Sequence, residues 1–283
     1  MKIKEIDAII AAALKEDMPQ GDITSENIVP RRSISKAVFL AKQEGVLAGI
    51  DVAGRVFRCV DSRITFKRLF RDGQSFKAGD ILAEVSGCSI SILKAERTAL
   101  NFLQRMSGIA TTTKKYVDAV SGTRVRILDT RKTTPGLRLL EKYAVRTGRG
   151  ENHRLNLSTM VLIKDNHLLL AGDISRAVQK ARNKVGRRIK IEVEVTDFNQ
   201  ARQAVEAGAD MIMLDNMPQK TMRDIIVWVK RRIPVEVSGN VSLKNVRSIA
   251  ALRPDYISVG RLTHSYASLD LSLEFLAAKR GRL

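Results

Sequence analysis

Cysteine is scarce in this chain. There are two among 283 residues, Cys59 and Cys88, with no Cys-x-x-Cys spacing. A disulfide framework or a structural zinc site is therefore not expected, and a reducing cytoplasm fits. Histidine is sparse as well: His153, His167 and His264 are scattered, which makes a poor case for a transition metal. No Ser/His/Asp arrangement or cysteine nucleophile suggests itself. Long apolar runs are missing too. The longest, residues 8–14, is far too short to span a bilayer, and Glu5, Asp7 and Glu16 in and around it are unlike a secretory signal. No membrane association is expected. Aromatic residues make up only 5% of the chain, and 30 acidic residues face 49 basic ones, for a net charge of +19. A nucleic-acid binder could carry such a charge, and so could an enzyme for polyanionic substrates. A binder gathers its cations in a run or on one helix, often beside exposed aromatics. Here they are spread along the chain with no continuous basic face, so nucleic acid is not the expected partner, and a basic nucleic-acid-binding barrel stays a remote alternative. What the sequence does have is 44% hydrophobic and 28% charged residues. That is the balance of a soluble globular protein with one large or two medium domains.

Along the chain, Ile3, Ile6, Ile10 and Leu14 fall on one helical face, and Pro19 and Gly21 punctuate the stretch that follows. Strands are expected at 37–41 and 63–70 with a helix at 51–60 between them, and the glycine turns of 72–85 suggest a small structural β-barrel. Biotinyl and lipoyl carriers share that pattern, but Lys77 lacks the local motif they require. Ile92, Ala95, Ala99, Leu100, Leu103 and Met106 mark a buried helical stripe, and a second helix is expected at 111–120. The domain boundary is expected between 108 and 122, dividing the chain into an N-terminal α/β domain at 1–112 and a second domain at 113–269. The segment 270–283 is expected to pack on the first.

Beyond that boundary, apolar strands at 125–128, 160–163, 189–195, 211–214, 235–237 and 256–259 alternate with amphipathic helices, which reads as a parallel sheet. The short repeat of the last units favours a compact barrel. Each strand ends in polar, charged or glycine residues: Asp129 to Lys132, then Lys164, Glu194, Asp215, Ser238-Gly239-Asn240 and Gly260-Arg261. Parallel βα folds converge their loops at that edge and build sites there. Basic side chains gathered at neighbouring strand ends form a pocket for a small, highly charged anion. Taken singly, Arg131, Lys132, Arg154 and Lys164 could be ordinary solvated charges; their repeated placement argues otherwise. The loops at Ser238-Gly239-Asn240 and Val259-Gly260-Arg261 suit phosphate, because backbone N–H groups just before a helix point outward with the positive end of its dipole. Glu194 and Asp215 could hold Mg²⁺ or sugar hydroxyls. One carboxylate of the alternating Glu192-Val193-Glu194 could instead serve a structural ion pair. His153, between Asn152 and Arg154, is placed in the pocket lining, whereas His167 and His264 are read as residues that satisfy hydrogen bonds as readily as catalytic ones.

Several motifs then carry a resemblance. Glu96-Arg97-Thr98-Ala99-Leu100-Asn101, Asp129-Thr130-Arg131-Lys132-Thr133-Thr134-Pro135-Gly136, Asn152-His153-Arg154-Leu155, Leu162-Ile163-Lys164-Asp165-Asn166-His167, Ile191-Glu192-Val193-Glu194-Val195 and Met213-Leu214-Asp215-Asn216-Met217 resemble, in this order, the quinolinate phosphoribosyltransferases. The similarity covers nearly the whole chain. It implies an N-terminal α/β sandwich domain joined to an incomplete α/β barrel of six or seven parallel strands. It also implies a homodimer or higher oligomer with shared active sites, in which the Arg97 motif reaches the partner's site. The implied reaction converts quinolinate and phosphoribosyl pyrophosphate, with Mg²⁺, to nicotinate mononucleotide, pyrophosphate and CO₂ in de novo NAD biosynthesis. By the same resemblance Arg97, Arg131, His153, Arg154 and Lys164 face the carboxylates and phosphates, with Thr130 and Lys132 beside them. Glu194 and Asp215 handle the ribose and its metal, and the loops at Ser238, Gly239, Asn240 and at Val259, Gly260, Arg261 hold the 5′-phosphate. Lys132, Glu194 and Asp215 are the expected catalytic set.

The chain departs from the family pattern in two loops. Gly148-Arg149-Gly150 stands where three glycines are usual, and Ser238-Gly239-Asn240 where Ser-Gly-Gly is usual. Asn tolerates left-handed backbone after glycine, so the second change is mild, whereas Arg149 alters its loop more. A branch associated with molybdenum transport shares the fold and is the alternative within the class.

Overall fold

The structure, a computed structural model, describes residues 3–276. Residues 277–283, part of the C-terminal segment considered above, lie outside them. The described chain divides into two compact units: one comprises 3–112, 134–149 and 266–276, and the other 113–133 and 150–265.

The first unit is built on an antiparallel sheet. Strands β1 (Ile34–Ala41), β3 (Thr65–Arg68) and β5 (Ile81–Cys88) join with the last strand of the chain, β12 (Leu271–Phe275), in the order β12-β1-β5-β3. A short antiparallel ribbon pairs β2 (Gly45–Val46) with β4 (Ser75–Phe76). Alternation along β1 buries Ala37, Phe39 and Ala41, and the Phe39 ring meets Phe57 and Phe66 at centroid distances of 5.9 Å each. Phe57 comes from the helix Ile50–Val60, which lays its apolar face on this sheet. The stretch 72–85 is thus not a small barrel of its own. Its eight-residue strand buries Leu82, Ala83 and Val85 and is drawn between β1 and β3.

Where two helices are expected, the structure has one of 31 residues, Ser89–Ala119. Gly108 lies inside it. A Cβ there would stand 2.1 Å from the carbonyl oxygen of Ala267, so this glycine permits a close backbone approach and does not end the helix. The helix Arg138–Thr147 also belongs to this unit. Its fully buried Glu141 accepts from Arg105 and from the Thr134 N–H at 3.2 Å, and Tyr143 donates to Asp72 at 2.7 Å. Burial and the Asp72 contact push the Tyr143 hydroxyl well above its ordinary value.

The second unit holds six parallel strands: β6 (Arg126–Leu128), β7 (Val161–Ile163), β8 (Ile191–Val195), β9 (Met211–Asp215), β10 (Val235–Ser238) and β11 (Tyr256–Ser258). Their order is β6-β11-β10-β9-β8-β7, so the first strand lies beside the last. That is the order of a barrel opened between β6 and β7, and within that opening β6 makes a single parallel bridge, Leu128 to Glu151. The expected architecture, an N-terminal α/β domain and an incomplete barrel, is the one observed, with six strands. Helices Ile174–Val185, Phe198–Glu206 and Gln219–Val229 follow the strands and bury Val178, Ala201, Ala204, Met222 and Ile225. Asp173 and Asp197 cap the first two by accepting backbone N–H groups at 2.8 Å. Among the described residues, no helix is long and apolar enough to cross a membrane.

Candidate active site

The carboxyl ends of all six strands open on one cleft of about 710 Å³. Alternation explains who reaches it. Glu192 and Glu194 share a face of β8, as Glu236 and Ser238 share a face of β10, because side chains two residues apart point the same way. The cleft gathers Thr130, Arg131, Lys132, His153, Arg154, Lys164, Glu194, Asp215, Ser238, Gly239, Asn240, Gly260 and Arg261. Two expected residues lie elsewhere. Val259 is buried, and its N–H is spent on the Leu128 carbonyl at 2.9 Å, so it supports the strand end instead of offering a donor. Arg97 belongs to the first unit and is exposed on the long helix. A somewhat larger hollow, about 850 Å³, lies at the opposite end of the barrel around Val125, Val235 and Pro254. Its Arg231 and Arg253 follow the C-termini of helices, where cations complement the dipole, and no cluster of carboxylates converges there.

The rim of the cleft is rich in donors that lack acceptors. The Nε groups of Arg131 and Arg154 are both buried with no hydrogen-bond partner among the described residues. Arg154 spends one Nη on the Met160 carbonyl at 3.1 Å. Burial first, and then the positive charge of Arg131, push its pKa down, although a guanidinium stays protonated. Two cations crowded together with unused donors mark a place for a multiply charged anion. Lys164 ends β7 and reaches across to Glu194 on β8, Nζ to Oε2 at 2.6 Å. Its own N–H donates to His167 Nδ1 at 3.0 Å, which makes His167 a local cap for the unexpected short helix Asp165–Ala171. The main chain of Lys132 is held at both ends: its N–H donates to Thr130 Oγ1 at 3.1 Å, and its carbonyl accepts from Thr263 Oγ1 at 2.7 Å.

The floor is the reverse of the rim. Glu192 and Glu236 are fully buried, with His153 between them. His153 Nε2 lies 2.9 Å from Glu192 and 3.5 Å from Glu236, while Nδ1 accepts the Arg154 N–H at 2.8 Å. With Nδ1 an acceptor, the ring proton sits on Nε2 and is donated to Glu192. The main chain of His153 is fixed as well, its N–H donating to buried Asp129 at 2.9 Å. Burial raises both glutamates, to about 8, and for Glu236 the charge of Glu192 adds to the effect. Carboxyls raised this far hold on to protons that solvated ones would release near neutral pH. The ligand atoms of this trio lie within 4.8 Å of one another, close enough in principle for a metal. The imidazole, however, has both nitrogens committed, while Glu192 Oε1 and both Glu236 oxygens are buried with no hydrogen-bond partner among the described residues.

On the far side, Gly239 (φ 91°) and Asn240 (φ 50°) form a left-handed pair. Asn240 donates through Nδ2 to Asn216 Oδ1 at 2.9 Å, and Asn216 donates to Asp215 Oδ2 at 2.9 Å. Glu236, Asn216 and Thr263 went unrecognised in the sequence as site residues. Strand alternation could have found Glu236, two positions before the end of an apolar strand. Nothing local in the sequence points to Thr263.

Comparison with known proteins agrees with this geometry. The model of the quinolinate phosphoribosyl transferase C-terminal domain matches residues 109–274, and that of the N-terminal domain matches residues 22–107. A probable nicotinate-nucleotide pyrophosphorylase (carboxylating) of Bacillus subtilis is 42% identical over 92% of this chain and 89% of its own length. One from Archaeoglobus fulgidus is 41% identical over 92% of this chain and 100% of its own. The crystal structure of NadC from Streptococcus pyogenes superposes with a TM-score of 0.93 at 42% identity, covering 98% of this chain and 99% of that one.

Proposed function

Since this chain belongs to the quinolinate phosphoribosyltransferase family, we propose that its cleft joins quinolinate to phosphoribosyl pyrophosphate. The products are nicotinate mononucleotide, pyrophosphate and CO₂, in the de novo synthesis of NAD. The observation that carries this reading is the pair of half-buried cations Arg131 and Arg154, whose buried Nε donors find no acceptor among the described residues. Quinolinate brings two carboxylates and phosphoribosyl pyrophosphate several phosphates, and a site without surplus cations would repel both.

In the reaction the pyridine nitrogen attacks the ribose carbon while pyrophosphate departs. Arg131, Arg154 and Lys164 bind the dicarboxylate and orient its ring, and Lys132 and Arg261 face the phosphates. The Gly239–Asn240 and Gly260–Arg261 turns hold the 5′-phosphate. Glu194 and Asp215, on neighbouring strands, lie beside the ribose, where their negative charge favours an oxocarbenium-like transition state. Loss of CO₂ then leaves its electron pair on a carbon next to the pyridinium nitrogen, whose positive charge stabilises it until that carbon takes a proton from water. No dedicated general base is needed.

Glu194 and Asp215 also fit Mg²⁺. Both are carboxylates that line the cleft, and two hard oxygen donors suit an ion that completes its shell with water and substrate phosphates. When bound there, the ion would neutralise charge on the leaving pyrophosphate. Arg97 does not line the cleft of its own second unit, so its role is proposed for a second copy of the chain. An inactive Arg97→Ala protein mixed with an inactive Lys132→Ala protein should then recover activity through hybrid dimers; verified subunit exchange without recovery would remove this arrangement.

The direct test is release of pyrophosphate and CO₂ from quinolinate and phosphoribosyl pyrophosphate with Mg²⁺. Turnover of nicotinate with no turnover of quinolinate would overturn the assignment. None of the relatives named above is a molybdenum-transport protein.

A further inference from the structure

We infer that Asn240 and Asn216 form a positioning relay that ties the phosphate-holding turn to the Asp215 carboxylate, so that the turn sets the orientation of the group beside the ribose. The inference rests on the site reading above and deepens it. The backbone of Asn240 takes a left-handed conformation of the kind glycine favours, φ 50°. Its side chain donates to Asn216 Oδ1 at 2.9 Å. This bond decides which way the Asn216 amide faces. With its oxygen held by Asn240, its NH₂ is turned toward Asp215 Oδ2, again at 2.9 Å. Were the amide to turn over, its oxygen would oppose the carboxylate.

The surroundings hold the relay from both ends. The Asn216 N–H donates to the Ser238 carbonyl at 3.1 Å, and Asn245 Nδ2 donates to the Asn240 carbonyl at 3.0 Å. Between them, Gly239 gives the amide its space: a Cβ at that position would lie 2.3 Å from Asn216 Oδ1. Asn216 itself is left-handed, φ 52°, as a residue that must turn back over a strand end can be. One oxygen of Asp215 is thereby fixed by Asn216, and the other faces the ribose hydroxyls or the ion.

Both asparagines can be removed with little backbone penalty, because glycine accepts a positive φ at either position. The experiment measures ribose 5-phosphate and inorganic phosphate binding to the full chain, to Asn240→Gly, to Asn216→Gly and to the double variant. The relay predicts that each single change weakens ribose 5-phosphate roughly 2- to 10-fold, the range of one hydrogen bond, and that the double variant is no worse than Asn216→Gly alone. Inorganic phosphate should bind the unaltered chain and Asn216→Gly within about twofold, a split that general damage to the fold would not give. Additive losses in the double variant, equal losses for phosphate, or no loss in Asn240→Gly each overturn the relay and leave the site reading intact. Failure of the unaltered chain to bind ribose 5-phosphate sinks the site reading, and the relay with it.

Discussion

The rim and the floor of one cleft solve opposite electrostatic problems. On the rim, Arg131 and Arg154 bring buried donors without acceptors. Beneath them, Glu192 and Glu236 bring buried carboxyls whose pKa values burial pushes up, with the charge of Glu192 adding to the effect at Glu236. The floor can ease its problem by staying protonated, and Glu192 accepts the His153 N–H, although Glu192 Oε1 and both Glu236 oxygens find no partner among the described residues. The rim cannot, because a guanidinium has no neutral form near physiological pH. It needs an anion from outside. The difference separates cations that only an outside anion can match from acids that protonation can neutralise, although all of them are polar and within the same barrel.

The strongest way to break this contrast is to remove a rim cation. Arg154→Ala should weaken quinolinate binding by about 2–5 kcal/mol, because the carboxylate it meets is left buried and unmatched. Calorimetric titration at moderate salt should therefore show a loss of roughly thirtyfold or more. Affinity equal to that of the unaltered chain would make Arg154 a structural residue. Lys164→Ala should cost less, about 1.5–3 kcal/mol, because its side chain is 42% exposed and already has a partner in Glu194. The same titration gives the comparison, and Lys164→Arg should restore only part of the loss.

A smaller effect tests the floor through pH. The folded-state pKa of the Glu192–Glu236 pair stands above the ordinary carboxylate value of 4.5. Between those values the folded chain holds more protons than the unfolded one, so the pair's contribution to stability falls as pH rises from about 4.5 toward about 8 and is level above that. Glu236→Gln keeps the shape and removes one of the two acids. Its urea midpoint should decline less steeply than that of the unaltered chain between pH 5 and 8, whereas identical slopes would show that the pair carries no extra proton.

The smallest effect concerns Arg149, which lies outside the cleft. Its φ of 69° is one that glycine takes freely and arginine does not. Arg149→Gly should raise stability by about 0.5–1 kcal/mol, the relief of left-handed strain less the added freedom of the unfolded chain. Turnover should be unchanged. A destabilised variant would mean that the arginine side chain makes a contact worth more than the strain.

Much of the rim was legible in the sequence because it obeys a simple rule. An apolar strand that ends in Lys164, in Glu194 or in Asp215 announces both the strand and the site edge. The floor was harder to read, since Glu236 sits inside the apolar strand Val235–Ser238, where an acid looks like an exception and its partner His153 is far away in sequence. The unbroken helix Ser89–Ala119, with Gly108 inside it, was hidden as well. Glycine usually weakens a helix, and only the approach of Ala267, from a distant part of the chain, explains its place in the middle of one. The strand Leu271–Phe275 could not be foreseen from its own short pattern, because its pairing with β1 is a contact at very long sequence range.

The opening in the barrel has a consequence for how the site breathes. Strand β7 is laced to a neighbouring strand along one side only, by β8, whereas β9 is laced along both. Its three residues lead straight into Lys164, so a cation placed for recognition is carried on the margin of the sheet. Amide protons of β7 should therefore trade with deuterium sooner than those of β9, and occupancy of the cleft should slow that trade more at the margin than at the centre. The molecule keeps its acids on its stiffest staves and one of its grasping cations on a looser one.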